Sequence, residues 1–159
     1  MQQASPETRT ATATVFVIDL PMGTPVLTLE GEMPVEHLLP EDRIITRAGS
    51  VLLSDISSED IAAPEMLRVS ARALGHDRPD EDMLLPAGQP VLIRDWRARA
   101  LFGAMQATVP LRRLIDGQYI RPEPVERIRM IRLTLPRASV IYAGTLEVAT
   151  LAIPVPQTA

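Results

Sequence analysis

The chain has 159 residues, 46% of them apolar and 3% aromatic, with a net charge of −4. That length accommodates one domain with a filled core and cramps two, and the acidic balance gives nucleic acid no electrostatic hold. Cysteine is absent and all 16 basic residues are arginine, so disulfides, thiolate metal sites, thiol nucleophiles and lysine-based catalysis are excluded.

Residues 1–13 (MQQASPETRTATA) are small and polar and read as a flexible tail. A single ordered domain is predicted over 14–152, with a short C-terminal tail over 153–159. Within the domain, short apolar and β-branched runs alternate with Gly, Pro and Asp at close intervals, which is the pattern of an all-β fold. Strands are predicted over 14–18, 25–29, 43–46, 67–72, 90–94, 99–102, 106–109, 127–135, 139–142 and 146–151. The 15 prolines forbid long helices almost everywhere. Short helical pieces are predicted at 34–39 and 110–115, each opened by a proline, and at 57–63, where Ser57 or Ser58 is a suitable cap.

Two hairpins are expected. Gly103 stands between ARALF and MQATVP, where it can take a positive φ, and Pro136 with Arg137 stands between RIRMIRLTL and SVIYAG, where proline ends the first strand's ladder. A phase slip at Met130 and Ile131 reads as a bulge.

Isolated polar groups are mostly explained without chemistry. His37 falls on a solvent-facing turn, where metal binding with Glu36 is the sharper alternative. His76 lies in an acidic loop with Asp77, Asp80, Glu81 and Asp82; the spacing matches no EF-type calcium loop and Pro79 interrupts it, so a solvated surface loop is expected. The arginines Arg121, Arg127, Arg129 and Arg132, balanced by Glu123 and Glu126, read as a solvated strand face, with an anionic ligand as the alternative. Trp96 reads either as an exposed binding aromatic or as part of a satellite core. Neither a signal sequence nor an apolar run long enough to span a bilayer is visible, so a soluble, cytoplasmic protein is expected.

The segment GTPVLTLEGEMPVEHLLPEDRIIT, residues 23–46, resembles the first conserved segment of bacterial Hint domains, the Hedgehog/intein autoprocessing fold. Gly23, Thr24, Gly31, Pro34, Val35, Glu36, Leu38, Asp42, Arg43 and Thr46 carry the match. RVSARALGHDRPDEDMLLPAGQPVLI resembles the segment that holds the Thr/Ser-x-x-His element. LFGAMQATVPLRRLIDGQYI and VERIRMIRLTLPRASVIYAGTLEVATL resemble the two that follow, in the right order, so the likeness extends over about residues 17–151. It implies an all-β horseshoe of short, mostly antiparallel strands.

The resemblance also implies a chemistry that the residues here do not match. In such domains a first-residue cysteine attacks the preceding carbonyl, and a histidine protonates the departing amide nitrogen. The nucleophile's position falls on Asp19, the histidine's on Gln89 with Pro86 where Thr or Ser is usual, and a further histidine's on Ala138. Carboxylate is a poor nucleophile for this step, and glutamine donates a hydrogen bond without shuttling a proton. Splicing further requires a terminal asparagine, and the chain has none. The expectation is a degenerate Hint domain, a binding or scaffold module for a protein or peptide, with a groove where Asp19, Gln89 and Ala138 mark the former centre. The alternative is residual cleavage before Asp19, with Asp19 or Thr24 as nucleophile, although Thr24 reads better as a strand-start hydroxyl that satisfies backbone groups. No cofactor, metal, nucleic acid or membrane is expected.

Overall fold

The computed structural model describes residues 11–157, in which closely spaced glycine, proline and aspartate cut the chain into short strands. The first six are β1 (Ala11–Pro21), β2 (Pro25–Thr28), β3 (Gly31–Pro34), β4 (Arg43–Thr46), β5 (Gly49–Leu52) and β6 (Asp55–Ala62). Next come β7 (Met66–Val69), β8 (Met83–Pro86), β9 (Pro90–Ile93), the helix α1 (Trp96–Phe102) and β10 (Ala107–Pro110). The chain closes with β11 (Ile120–Glu123), β12 (Arg127–Leu135), β13 (Val140–Ala143), β14 (Leu146–Ala149) and β15 (Leu151–Gln157). Val35–His37 and Leu111–Leu114 form 3-10 turns, each entered from a proline, as their positions in the sequence predict.

The strands pair antiparallel into three sheets: β15-β1-β12-β6, β10-β9-β14-β13-β2-β4-β5 with β3 on β2, and β11-β7-β8. Their inward residues meet in one core that draws Ile18 and Leu133 from the first sheet, Val26, Ile44, Ile93, Ile141 and Val148 from the second, and Leu67 and Leu85 from the third. Burial of each such side chain contributes about 1.5–3 kcal/mol, so the sheets are held by shared apolar surface more than by any polar contact.

Several expectations are corrected. Residues 99–102 belong to α1 rather than a strand, and Gly103 is its left-handed C-cap (φ 64) rather than a hairpin turn. The Asp95 side chain accepts from Arg97 N at the other end, and Arg, Ala and Leu between the two caps favour helix. Residues 57–63 fall in strand β6 and its exit, not in a helix: eight residues pair with β12, from Arg127↔Ala62 to Thr134↔Asp55. That register is unbroken, as is the one from Phe16↔Leu135 to Pro21↔Met130, so no bulge interrupts β12. Met130 and Ile131 are both buried because adjacent strand residues face opposite sides and both sides are covered there.

The hairpin expected at Pro136 and Arg137 does not form. β12 pairs with β1 and β6, whereas β13 pairs with β14, β2 and β4, so the chain changes sheets at this point. It changes back at Thr150, which divides the predicted strand 146–151 into β14 and β15. β15 then pairs with β1 from Val17↔Leu151 to Ala11↔Gln157. Residues 11–13 and 153–157, read from composition as tail, are therefore strand; 1–10 and 158–159 lie outside the described residues. Pro154 and Pro156 are tolerated because β15 is an edge strand, where alternate N–H groups face no neighbour.

Candidate functional site

Asp19 lies in β1 directly across from Arg132 in β12. Cross-strand partners share a face, and the guanidinium takes both carboxylate oxygens, Nε on Oδ1 at 2.8 Å and Nη2 on Oδ2 at 2.9 Å. This pairing raises the Arg132 pKa. A shallow cavity of about 140 Å³ beside the pair is lined also by Ser57, Ser58, Glu59, Ile61 and Met130, with no histidine among them.

Thr24 follows the turn after β1. Its hydroxyl donates to Pro21 O at 2.7 Å and is almost fully buried. Gly23 N donates to Glu36 Oε2 at 2.7 Å, which ties the turn to the 3-10 turn at Val35–His37. Burial is the largest single influence and would lift the Glu36 carboxyl, but the N–H groups of Gly23 and of Glu36 itself, with the nearby His37, together hold the group below its ordinary value.

Gln89 is buried between β8 and β9, and its Nε2 donates to Pro90 O at 2.9 Å and to Ala149 O at 2.8 Å. A primary amide has two N–H donors, so both are committed to the backbone. Ala138 lies in the loop between β12 and β13 and lines a cavity of about 420 Å³, of which Ala149 is another wall. Gln89 thus bonds the carbonyl of Ala149, a residue that also walls the cavity at Ala138, while Gln89 itself does not line that cavity. Asp19 stands apart, since its cavity shares no lining residue with that of Ala138.

The sequence profile of the Hint domain matches residues 20–153. The chain belongs to the Hint domain family. Among solved structures its fold is similar to the gp41-1 intein, with a TM-score of 0.52 at 8% identity over 86% of this chain and 98% of that one. It is also similar to the MchDnaB-1 intein, with a TM-score of 0.52 at 11% identity over 83% and 99% of the two chains. At such identities the likeness concerns the fold alone. No curated protein matches it in sequence.

Elsewhere in this Hint domain, His37 is exposed on its turn and His76 is 92% exposed, with Nε2 3.2 Å from Asp77 Oδ2. The acidic loop is tied to its surroundings: Asp82 Oδ1 accepts from Ala71 N at 2.9 Å, and Asp80 N donates to Thr145 Oγ1 at 2.9 Å. Among the described residues no group of three or more His, Asp or Glu side chains has the arrangement of a metal site. Trp96 is 69% exposed and stacks on Arg97, whose Cζ is 5.0 Å from the ring centre, so it belongs to the surface rather than to a satellite core. Arg129 pairs with Asp60 at 3.2 Å and Arg121 bonds Ser70 and Gln118, so with Arg132 these arginines are taken up along the strand faces.

One charged cluster escapes the sequence reading. Glu147 is only 2% exposed within the otherwise apolar β14, and three arginines converge on it. Arg47 Nη1 lies 2.5 Å from Oε2, Arg94 Nη2 bonds Oε1, and Arg78 Nη2 is 3.5 Å from the same oxygen. Burial lowers the Arg78 pKa, and the charge of Glu147 works against that fall. The signal available in the sequence was a lone carboxylate inside the apolar run LEVATL, because a charge buried there requires partners.

Proposed function

We propose that this Hint domain has lost self-cleavage and splicing and serves as a binding or scaffold module for a protein or peptide. The observation that carries the reading is the setting of the 18–19 peptide bond. It lies inside the eleven-residue strand β1, with Ile18 opposite Leu133 and Asp19 opposite Arg132, and the Asp19 carboxylate is clamped by a guanidinium. Attack on the Ile18 carbonyl would require Asp19 to leave Arg132 and the strand to leave its ladder. The other candidates are equally engaged: the Thr24 hydroxyl donates to Pro21 O, and the Gln89 amide donates to two carbonyls.

Rate arithmetic supports the same conclusion. Each positioned proton-transfer group contributes roughly 10²–10⁴-fold, so loss of the general acid together with the thiol nucleophile removes several orders of magnitude. The chain also has no asparagine to cyclise. The test is an intact mass spectrum of the purified chain, fresh and after prolonged incubation at neutral pH, with and without hydroxylamine or an added thiol. A single unchanged mass is expected. A product beginning at Asp19, or cleavage that depends on the added nucleophile, would show that the centre still activates a peptide bond and would overturn the reading.

A further inference from the structure

The cavity at Ala138 has a charge asymmetry that its neighbours do not cancel. Arg47 and Arg137 are among its lining residues, and no carboxylate is. Arg47 is fixed in place by Glu147, but that single carboxylate also serves Arg78 and Arg94. Three positive charges therefore share one negative charge. Asp95, whose charge also acts on Arg78, is itself paired with Arg97. Arg137 is exposed and forms no ion pair among the described residues.

Arg47 places one Nη1 on Glu147, whereas a guanidinium carries five N–H donors, so it retains capacity for a second anion. Because Glu147 holds the side chain, ordering it for a ligand costs less than ordering a free surface arginine. The cavity, at about 420 Å³, is much larger than a bare ion requires, and Leu92, Val140 and Ala149 give it apolar walls beside the arginines. Thr108 and Gln106 are among its polar lining residues.

We propose that this cavity binds the C-terminal carboxylate of a peptide that ends in an apolar residue. In such a residue the carboxylate and the apolar side chain leave the same carbon, which matches two arginines set against an apolar wall. The planar guanidinium forks suit a carboxylate's paired oxygens. The inference rests on the binding-module reading above and specifies the ligand class of that module.

The test titrates the whole chain, at low salt, with the acetylated tetrapeptide Ala-Ala-Ala-Leu as free acid and as C-terminal amide, by calorimetry. The free acid is expected to bind at least about tenfold more tightly than the amide, as removal of a charge-assisted pair requires. Acetyl-leucine is the second arm: weaker binding than the tetrapeptide supports a peptide end, and equal binding assigns the site to small free carboxylic acids and overturns the peptide assignment. Tighter binding of inorganic phosphate or of a phosphoserine tetrapeptide amide also overturns it. Arg137→Gln, at an exposed position, is expected to weaken the free acid about tenfold with an unchanged melting midpoint. Equal affinity for acid and amide, no binding, or an indifferent Arg137→Gln variant would refute the inference. The intact mass of each sample separates the two readings: cleavage refutes the loss of processing, whereas an unchanged mass without carboxylate binding refutes only the ligand assignment.

Discussion

Asp19 and Glu147 are both carboxylates held by arginine, yet their surroundings give them different weights. Asp19 and Arg132 are 31% and 45% exposed, where solvent screens the pair and its contribution is at most about 1 kcal/mol. Glu147 is 2% exposed, and its removal would strand a half-solvated Arg47 and an almost buried Arg78. The Arg68–Glu123 pair, with a carboxylate as exposed as Asp19's, joins β7 to β11 with two bonds of 2.6 Å. Hydrogen bonding from Arg68 holds the Glu123 carboxyl below its ordinary value, against the opposing effect of burial. A depressed folded-state pKa means that this pair stabilises the fold fully above the unfolded carboxyl's pKa, near 4.3, and that the contribution is lost as pH falls through the lower folded value. Glu123→Gln is therefore expected to lower the urea midpoint near neutrality, and its difference from the wild type is expected to shrink steadily as the pH falls below the unfolded carboxyl's pKa and through the lower folded value. A difference that persists undiminished in acid would show that the pair's ionisation is not its source of stability. Of these residues, the pattern PVERIRMIR shows its charges openly, but nothing in the sequence pairs Arg68 with Glu123, because they are 55 positions apart and meet only through strand register.

The helix α1 shows what local signals can and cannot decide. Both of its caps are visible in RDWRARALFG, and Gly103 donates its N–H back to Arg99 O at 2.9 Å. The strand expectation came from a chain that is otherwise all β and from a helix only seven residues long, in which the caps outweigh the surrounding pattern. A Cβ at Gly103 would meet nothing within 4 Å, so the cost of a side chain there comes from the backbone alone. Gly103→Ala is expected to destabilise the protein by about 1–2 kcal/mol, the strain of an L-residue in the left-handed region, in thermal or urea unfolding. Gly103→Asn should recover part of that loss, since Asn tolerates this conformation better. If the two variants are equally unstable, the cap's conformation is not the cause. The misreading of β6 has the opposite origin. As an edge strand it exposes Asp55, Glu59 and Asp60, so the apolar alternation that identifies a strand is missing and the serines resemble a cap.

At the scale of the molecule, the all-β class was legible because strand length and turn chemistry are local, and the family was legible because its segments recur in order. That Asp19 and Ala138 line different cavities was not, because it depends on where the chain changes sheets after Leu135 and again at Thr150. The second change carries β15 back to cover β1, and this makes a prediction about solubility. β1 contains the run TVFVI, which has no charge, no proline and high β-propensity, and β12 occupies one of its edges from Phe16 onward. β15 occupies the other edge from Ala11 to Val17, and its own outer edge is blunted by Pro154 and Pro156. Deletion of residues 151–157 would replace a proline-bearing edge with an open apolar one. The truncated chain is expected to self-associate with rising concentration in light scattering, whereas Ile153→Ala in the full chain, which leaves the ladder in place, should remain as monodisperse as the wild type. A truncated chain that stays monodisperse would show that β1's free edge is not adhesive and that β15 serves stability rather than protection. If the Ile153→Ala variant associates as well, the effect belongs to the lost side chain and not to the uncovered strand.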